Sequence, residues 1–147
     1  MHTIRRVLET KGYTIWSATP DTLVYDALKL MAEKDVGAIL VLDKGKLVGI
    51  FSERDYARKV ILKGKSSKEL MLKDIMTYNV TYASLDQSVE QCLAIMNADH
   101  IRHLPIFNGD QLVGIVTIGD LVKAIISEQK DLIKHLERHI LENTSLT

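Results

Sequence analysis

Leu47-Val48-Gly49-Ile50-Phe51-Ser52-Glu53-Arg54-Asp55 decides the reading of this chain, because Leu112-Val113-Gly114-Ile115-Val116-Thr117-Ile118-Gly119-Asp120 repeats its grammar 65 residues later. Leu-Val-Gly-Ile is identical in both stretches. One apolar residue, a hydroxyl residue and, three positions on, an aspartate follow in each. Held at that offset, residues 15–61 lie on 80–126 without a gap, with Asp21 on Asp86, Val24 on Val89, Leu28 on Leu93, Met31 on Met96 and Ile61 on Ile126. An internal repeat constrains the architecture more than any single motif does.

Working outward, Ala38-Ile39-Leu40-Val41-Leu42 is a continuous apolar run bounded by turn residues, which predicts a strand buried on both faces. Asp43-Lys44-Gly45-Lys46 is a tight turn, and Leu47 to Phe51 is the partner strand of a hairpin. Upstream, Tyr13 to Ala18 mixes β-branched and aromatic residues and predicts a first strand. Thr19-Pro20-Asp21 opens a helix over about 22–34, with Val24, Ala27, Leu28 and Met31 at i, i+3, i+4 and i+7. Ser52 caps a helix over about 53–62, so the unit is strand–helix–strand–strand–helix. The second copy runs through a strand at Val80 to Ala83, a helix at Gln87 to Ala98, strands at His103 to Phe107 and Leu112 to Val116, and a final helix from near Gly119.

Two short segments, 3–10 with Thr3 as N-cap and 69–76 after the polar linker Lys63 to Lys68, read as lead-ins to the first and second repeats. The chain then divides into 1–65, 66–128 and a helical extension with its tail, 129–147. In the last helix Leu121, Val122, Ile125, Ile126, Leu132, Ile133, Leu136 and Ile140 keep a helical period. The apolar excess after Gln129 calls for a cover from the first repeat or from another subunit, and the polar tail from Glu142 to Thr147 is expected to fray. Neither half buries much surface alone. The expected architecture is therefore α+β, two repeats packed sheet to sheet about a pseudo-twofold axis, with two equivalent clefts.

Composition narrows the function classes. The hydrophobic fraction is 46% with only 5% aromatic, so the core is aliphatic. Lys+Arg and Asp+Glu both number 19, which gives no general pull toward nucleic acid or membrane. Cys92 is the single cysteine, which excludes an intrachain disulfide and fits a reducing compartment. Neither a signal-peptide run nor an apolar stretch of bilayer-spanning length is evident, so a soluble, cytoplasmic protein is expected.

Ser52-x-x-Asp55 and Thr117-x-x-Asp120 each place a hydroxyl at an N-cap and a carboxylate at N3, which is a capping box with Asp in place of the usual Glu or Gln. Negative charge there also suits the helix dipole. His135 and His139 lie four apart on the last helix, but no third ligand is evident and a solvated face explains them. The sequence contains no phosphate loop, no Gly-x-Ser-x-Gly and no other arrangement that indicates catalysis. No catalytic residue and no metal ligand is assigned.

The doubled unit, with Gly-Ile-Phe-Ser-x-x-Asp and Gly-Ile-Val-Thr-x-x-Asp at matching places, resembles a tandem pair of cystathionine-β-synthase (CBS) domains, a Bateman module. Ser52 to Lys59 and Ile101 to Ile106 add to the likeness, which covers about residues 1–128 and resembles the stand-alone form of the module. The resemblance implies a non-enzymatic sensor of adenosine-containing ligands: AMP, ADP, ATP, NAD or S-adenosylmethionine. AMP, ATP or NAD leads among these, and no obligatory cofactor is implied. It implies a homodimer as well, with a regulated protein partner downstream.

The same resemblance gives the two aspartates a ligand role beside the capping role, since a carboxylate can accept from both hydroxyls of a ribose. Asp120, Thr117 and Ile115 would share a cleft with Trp16, Val36, Gly37 and Ala38. Asp55, Ser52 and Ile50 would share one with Thr81, Ile101, Arg102 and His103. Trp16 either stacks on a base or simply packs. Arg54 and Arg58 either add charge near a phosphate or are solvated helix residues. Arg102 and His103 stand where the first repeat has Gly37 and Ala38, so the two sites are expected to differ, with more cationic residues on the side of Asp55. The other reading is an interaction scaffold whose clefts stay empty, with the aspartates acting only as caps.

Overall fold

Lys44 and Gly45 both have positive φ, 51° and 80°, and so form the two-residue turn that the twist of an antiparallel hairpin favours. This turn joins β2 (Ala38–Asp43) to β3 (Lys46–Ser52) in the computed structural model, which describes residues 3–145. Two compact units are present: one holds Thr14–Thr81, and the other holds the chain through Tyr13 together with Tyr82 onward.

In the Thr14–Thr81 unit, β1 (Ser17–Ala18) runs parallel to β2, and β2 runs antiparallel to β3, giving the order β1-β2-β3. α2 (Val24–Lys34) crosses between β1 and β2 and ends on Asp35, whose φ of 53° is left-handed. Ala38, Ile39, Leu40 and Val41 are all buried, as the apolar run predicts. Ile39 and Val41 share a core with Val24, Ala27, Met31, Phe51 and Val60. α3 (Glu53–Tyr56) leads directly into a π-helical turn over Ala57–Ile61, where Leu62 N–H donates to the Ala57 carbonyl at 3.0 Å. α4 (Leu72–Ile75) closes the unit.

The second unit repeats the plan. β4 (Ala83–Ser84), β5 (His103–Asn108) and β6 (Gln111–Thr117) form a sheet in that order, with α5 (Val89–Asp99) between β4 and β5. α6 runs unbroken over Ile118–Ser145, so the polar stretch from Glu142 to Ser145 is helical rather than frayed, while Leu146 and Thr147 lie outside the described residues. Cys92 is buried among Val89, Met96, Leu104 and Ile106, and burial pushes its thiol up to about 11.

The lead-in segments pack across the order of the chain. α1 (Ile4–Lys11), capped by Thr3, belongs to the unit of the second repeat: Ile4 and Arg5 donate to the carbonyls of Gln87 and Leu85 at 2.9 and 3.0 Å, and Ile4, Val7 and Leu8 enter that core. α4 belongs to the first repeat, where Leu72, Ile75 and Met76 join the core and Leu72 N–H donates to the Thr22 carbonyl at 2.9 Å. Grouping residues by position, 1–65 against 66–128, therefore separates each repeat from the helix that packs on it. The repeated glycine has its reason here. A Cβ on Gly49 would sit 2.6 Å from Met76 Sδ, and one on Gly114 would sit 3.0 Å from Leu8 Cδ2.

Three elements are shorter than the sequence predicts. Tyr13 to Ala18 is paired only at Ser17–Ala18, and Val80 to Ala83 gives only Ala83–Ser84. Each is an edge strand with a single neighbour, and Tyr13, Trp16 and Tyr82 are exposed, so β propensity there has little burial to act on. The helix expected over 69–76 narrows to Leu72–Ile75.

Candidate functional site

Asp55 and Asp120 sit at the third position of α3 and α6, fixed by the hydroxyl residue that ends the preceding strand. In the first repeat Asp55 N–H donates to Ser52 Oγ at 3.2 Å, and Asp55 Oδ2 accepts from Ser52 N–H at 3.0 Å. In the second, Asp120 N–H donates to Thr117 Oγ1 at 3.1 Å, and Asp120 Oδ2 accepts from Thr117 N–H at 2.8 Å. The capping box is thus formed twice. The first residue of each helix is tied back to the start of the hairpin: Glu53 N–H donates to the Gly37 carbonyl and Ile118 N–H to the Arg102 carbonyl, both at 3.0 Å.

Each carboxylate also holds a lysine. Lys59 Nζ lies 3.0 Å from Asp55 Oδ1 and also donates to the Ile75 carbonyl at 3.1 Å. Thr77 donates its hydroxyl to Asp55 Oδ1 at 3.1 Å, placed there by paired backbone bonds between Ile50 and Thr77. Both oxygens of Asp55, a residue only 9% exposed, are therefore engaged by the protein. Around Asp120 the lysine is Lys11, from the last position of α1. Its Nζ is 2.7 Å from Asp120 Oδ2 and 2.7 Å from the Ile115 carbonyl. The two lysines are not equivalent in the repeat: Lys59 aligns with Ala124, and Lys11 with Met76.

Electrostatics around Asp120 follow from this. Burial pushes its carboxyl up, but the bond to Lys11 and those from Thr117 outweigh burial and hold it below the usual carboxylate range. Burial pushes the His103 imidazole below its ordinary value. Lys11 and, more weakly, Arg102 act in the same direction, with Asp120 opposing. Beside this cluster a cavity of about 480 Å³ opens between α1 and α6, lined by Arg6, Lys11, Asp120, Lys123, Ser127 and Asp131 among others.

The residues singled out from the sequence fall into two groups. Val36, Gly37, Ala38, Ile50, Ser52 and Asp55 gather around the start of α3, with Arg54 exposed on its first turn. Ile101, Arg102, His103, Ile115, Thr117 and Asp120 gather around the start of α6. Trp16 is 38% exposed and carries Lys34 Nζ over its ring at 4.4 Å, so it is not simple core packing. Thr81 is half-buried at the end of its unit. Sequence reasoning missed Lys11, Lys59 and Thr77. Among the described residues, no group of three His, Cys, Asp or Glu side chains is placed to hold a metal ion, and no helix is long and apolar enough to cross a membrane.

Comparison with known proteins gives a consistent result. The family profile described as CBS domain matches residues 13–62 and 72–127. The CBS domain-containing protein CBSX3, mitochondrial, of Arabidopsis thaliana is 36% identical, over 94% of this chain and 71% of its own length. A protein with CBS domains from Burkholderia ambifaria MC40-6 has a TM-score of 0.84 at 46% identity, covering 87% of this chain and 96% of that one. The CBS domain pair of protein MJ0100, solved in complex with 5′-methylthioadenosine and S-adenosyl-L-methionine, has a TM-score of 0.77 at 25% identity, covering 87% and 98%.

Proposed function

The chain belongs to the CBS-domain family as a tandem pair, and we propose that it is a non-enzymatic regulatory module that binds an adenosine-containing ligand and reports its occupancy by a change of conformation. One observation carries this reading: an aspartate stands at the N-terminus of a helix in each repeat, fixed by the same capping box and held by a lysine, Lys59 one turn further on in the first repeat and Lys11 from α1 in the second. A cap alone needs only the hydroxyl and the carboxylate. A lysine brought to both carboxylates from non-equivalent positions goes beyond what a cap requires, and a carboxylate placed there can accept hydrogen bonds from a ribose diol. Arg102 and His103 supply positive charge and a titratable ring near Asp120. That the MJ0100 pair is solved with two adenosine compounds supports the ligand class.

AMP, ATP and NAD are the leading ligands in this reading, with S-adenosylmethionine and ADP behind them. The module works in the cytoplasm as a homodimer and passes its state to a protein partner. A ligand shifts such an equilibrium only through its different affinity for the two states. The scaffold reading has one specific observation in its favour: both oxygens of Asp55 are already satisfied by Ser52, Thr77 and Lys59, so its geometry needs no ligand.

Calorimetric titration of the parent protein and of the Asp55→Ala/Asp120→Ala variant with AMP, ADP, ATP, NAD and S-adenosylmethionine separates the two. Binding lost in a folded variant supports the sensor. No binding to the parent, or equal binding to both, supports the scaffold.

A further inference from the structure

α6 carries two apolar stripes, and its own unit uses only one. Leu121 is fully buried, and Ala124 and Ile125 pack on the same core. Val122 and Ile126 lie about 100° around the helix from Leu121 and Ile125. They are 44% and 45% exposed. The second stripe continues along the extension: Ile133 and Leu136 are 54% and 49% exposed, and every described side chain from Gln129 to Asn143 is exposed.

The spacing of this stripe is that of a coiled coil. Val122, Ile126, Gln129, Ile133, Leu136, Ile140 and Asn143 are separated by alternating steps of four and three, which puts Ile at each a position and Val, Gln, Leu and Asn at d. A helix that faces only solvent has no need of a 3.5-residue apolar period. A period of that kind fits another helix of the same period.

Charge placement identifies the partner helix and its direction. Lys130 and Glu137 are seven apart, so they lie on the same flank of the stripe, one on either side of the Ile133/Leu136 centre. In an antiparallel pair of identical helices, Ile133 of each copy meets Leu136 of the other. Lys130 of each copy then comes beside Glu137 of the other, so one contact is made twice, as a twofold interface requires. In a parallel pair Lys130 and Glu137 sit at one heptad position and do not meet, and Glu137 faces Leu132 instead.

From the exposed stripe, the heptad spacing and this self-complementary charge pair we infer that α6 packs antiparallel against the α6 of a second copy of this chain. The inference deepens the homodimer reading above and rests on it, but it is independent of any ligand. It gives the 28-residue helix a reason to extend beyond the unit that its first turns close.

Sedimentation equilibrium of the full chain tests the surface. Ile133→Asp/Leu136→Asp places four charges at the centre of the pair. Both side chains are exposed in the single chain, so the variant keeps its circular dichroism while the dimer weakens by roughly a hundredfold or more. Lys130→Glu or Glu137→Lys alone sets like charges together twice and weakens the dimer by roughly tenfold. Combining the two restores parental affinity. A dimer that survives Ile133→Asp/Leu136→Asp overturns the inference and leaves the homodimer reading standing, because the copies then meet elsewhere. Single charge variants without effect, or a combined variant without rescue, overturn the antiparallel pairing. A parent chain that is monomeric at micromolar concentration overturns both readings, including when it binds anionic lipid vesicles through the stripe.

Discussion

Lys11 Nζ lies 2.7 Å from Asp120 Oδ2, although 109 positions separate the two residues in the chain. The first repeat reaches the same arrangement locally, with Lys59 one helical turn beyond Asp55. Identical chemistry at equivalent carboxylates is thus built by two routes. The long-range route exists because α1 packs on the second repeat.

Replacing Lys11 by Met removes the cation while keeping most of the side-chain volume. The Asp120 carboxyl then loses the bond that offsets its burial, and its pKa rises, a shift that NMR titration of the side chain reads directly. Stability follows in sign. A depressed native pKa contributes stability at neutral pH that is lost as pH falls through the ordinary aspartate range toward the native value. In urea titrations Lys11→Met is less stable than the parent at pH 7 by about 1 kcal/mol, as loss of a partly exposed charged bond implies. The gap closes toward pH 3.

His103 contributes a pH dependence of the same sign in a higher pH window. Its native pKa is depressed by burial, with Lys11 adding to the effect, so the unfolded chain binds a proton that the folded one refuses. Stability therefore falls as pH drops from 7 through the ordinary histidine range. His103→Gln flattens that part of the profile, and denaturation midpoints from pH 7.5 down to pH 5 measure it. An unchanged slope in the variant would assign the dependence to another group.

The packing of α1 and α4 across chain order is testable through the repeated glycines. Gly49→Ala and Gly114→Ala each overpack a close approach and cost about 1–2 kcal/mol. The partners differ: Met76 faces Gly49, and Leu8 faces Gly114. Double-mutant cycles with Met76→Ala and Leu8→Ala show coupling above about 0.5 kcal/mol only in those pairs. Coupling of Gly49 with Leu8 instead would mean that each lead-in helix packs on its own repeat.

Cys92 tests the burial of the second core. A buried thiol pushed up to about 11 is protonated at pH 8 and inert to disulfide reagents. Its modification occurs at the rate of unfolding and accelerates with urea. Fast modification of the native protein would contradict the packing of α5.

The hairpins and the capped aspartates were legible in the sequence because their signals are local. A continuous apolar run, a two-residue turn and a hydroxyl three residues before a carboxylate each act within one element. Lys59 carries a local signal as well, since i and i+4 share a helix face, but a repeat-based argument passes over it because its counterpart is Ala124. Lys11 and Thr77 left no such signal. Both reach their carboxylates through the docking of a lead-in segment, and no periodicity encodes which repeat that segment will choose. The β-branched and aromatic residues of Tyr13 to Ala18 suit any half-buried surface as well as a strand, and the ladder there closes at only Ser17 and Ala18.

Native mass spectrometry of the purified chain, titrated with AMP, ATP and NAD alongside the Asp55→Ala/Asp120→Ala variant, tests the central claim most directly. The account predicts an adenosine-containing ligand bound to the parent and lost from the folded variant. Ligand-free parent protein at every concentration, or ligand bound equally to both, would contradict it and reduce the two aspartates to helix caps.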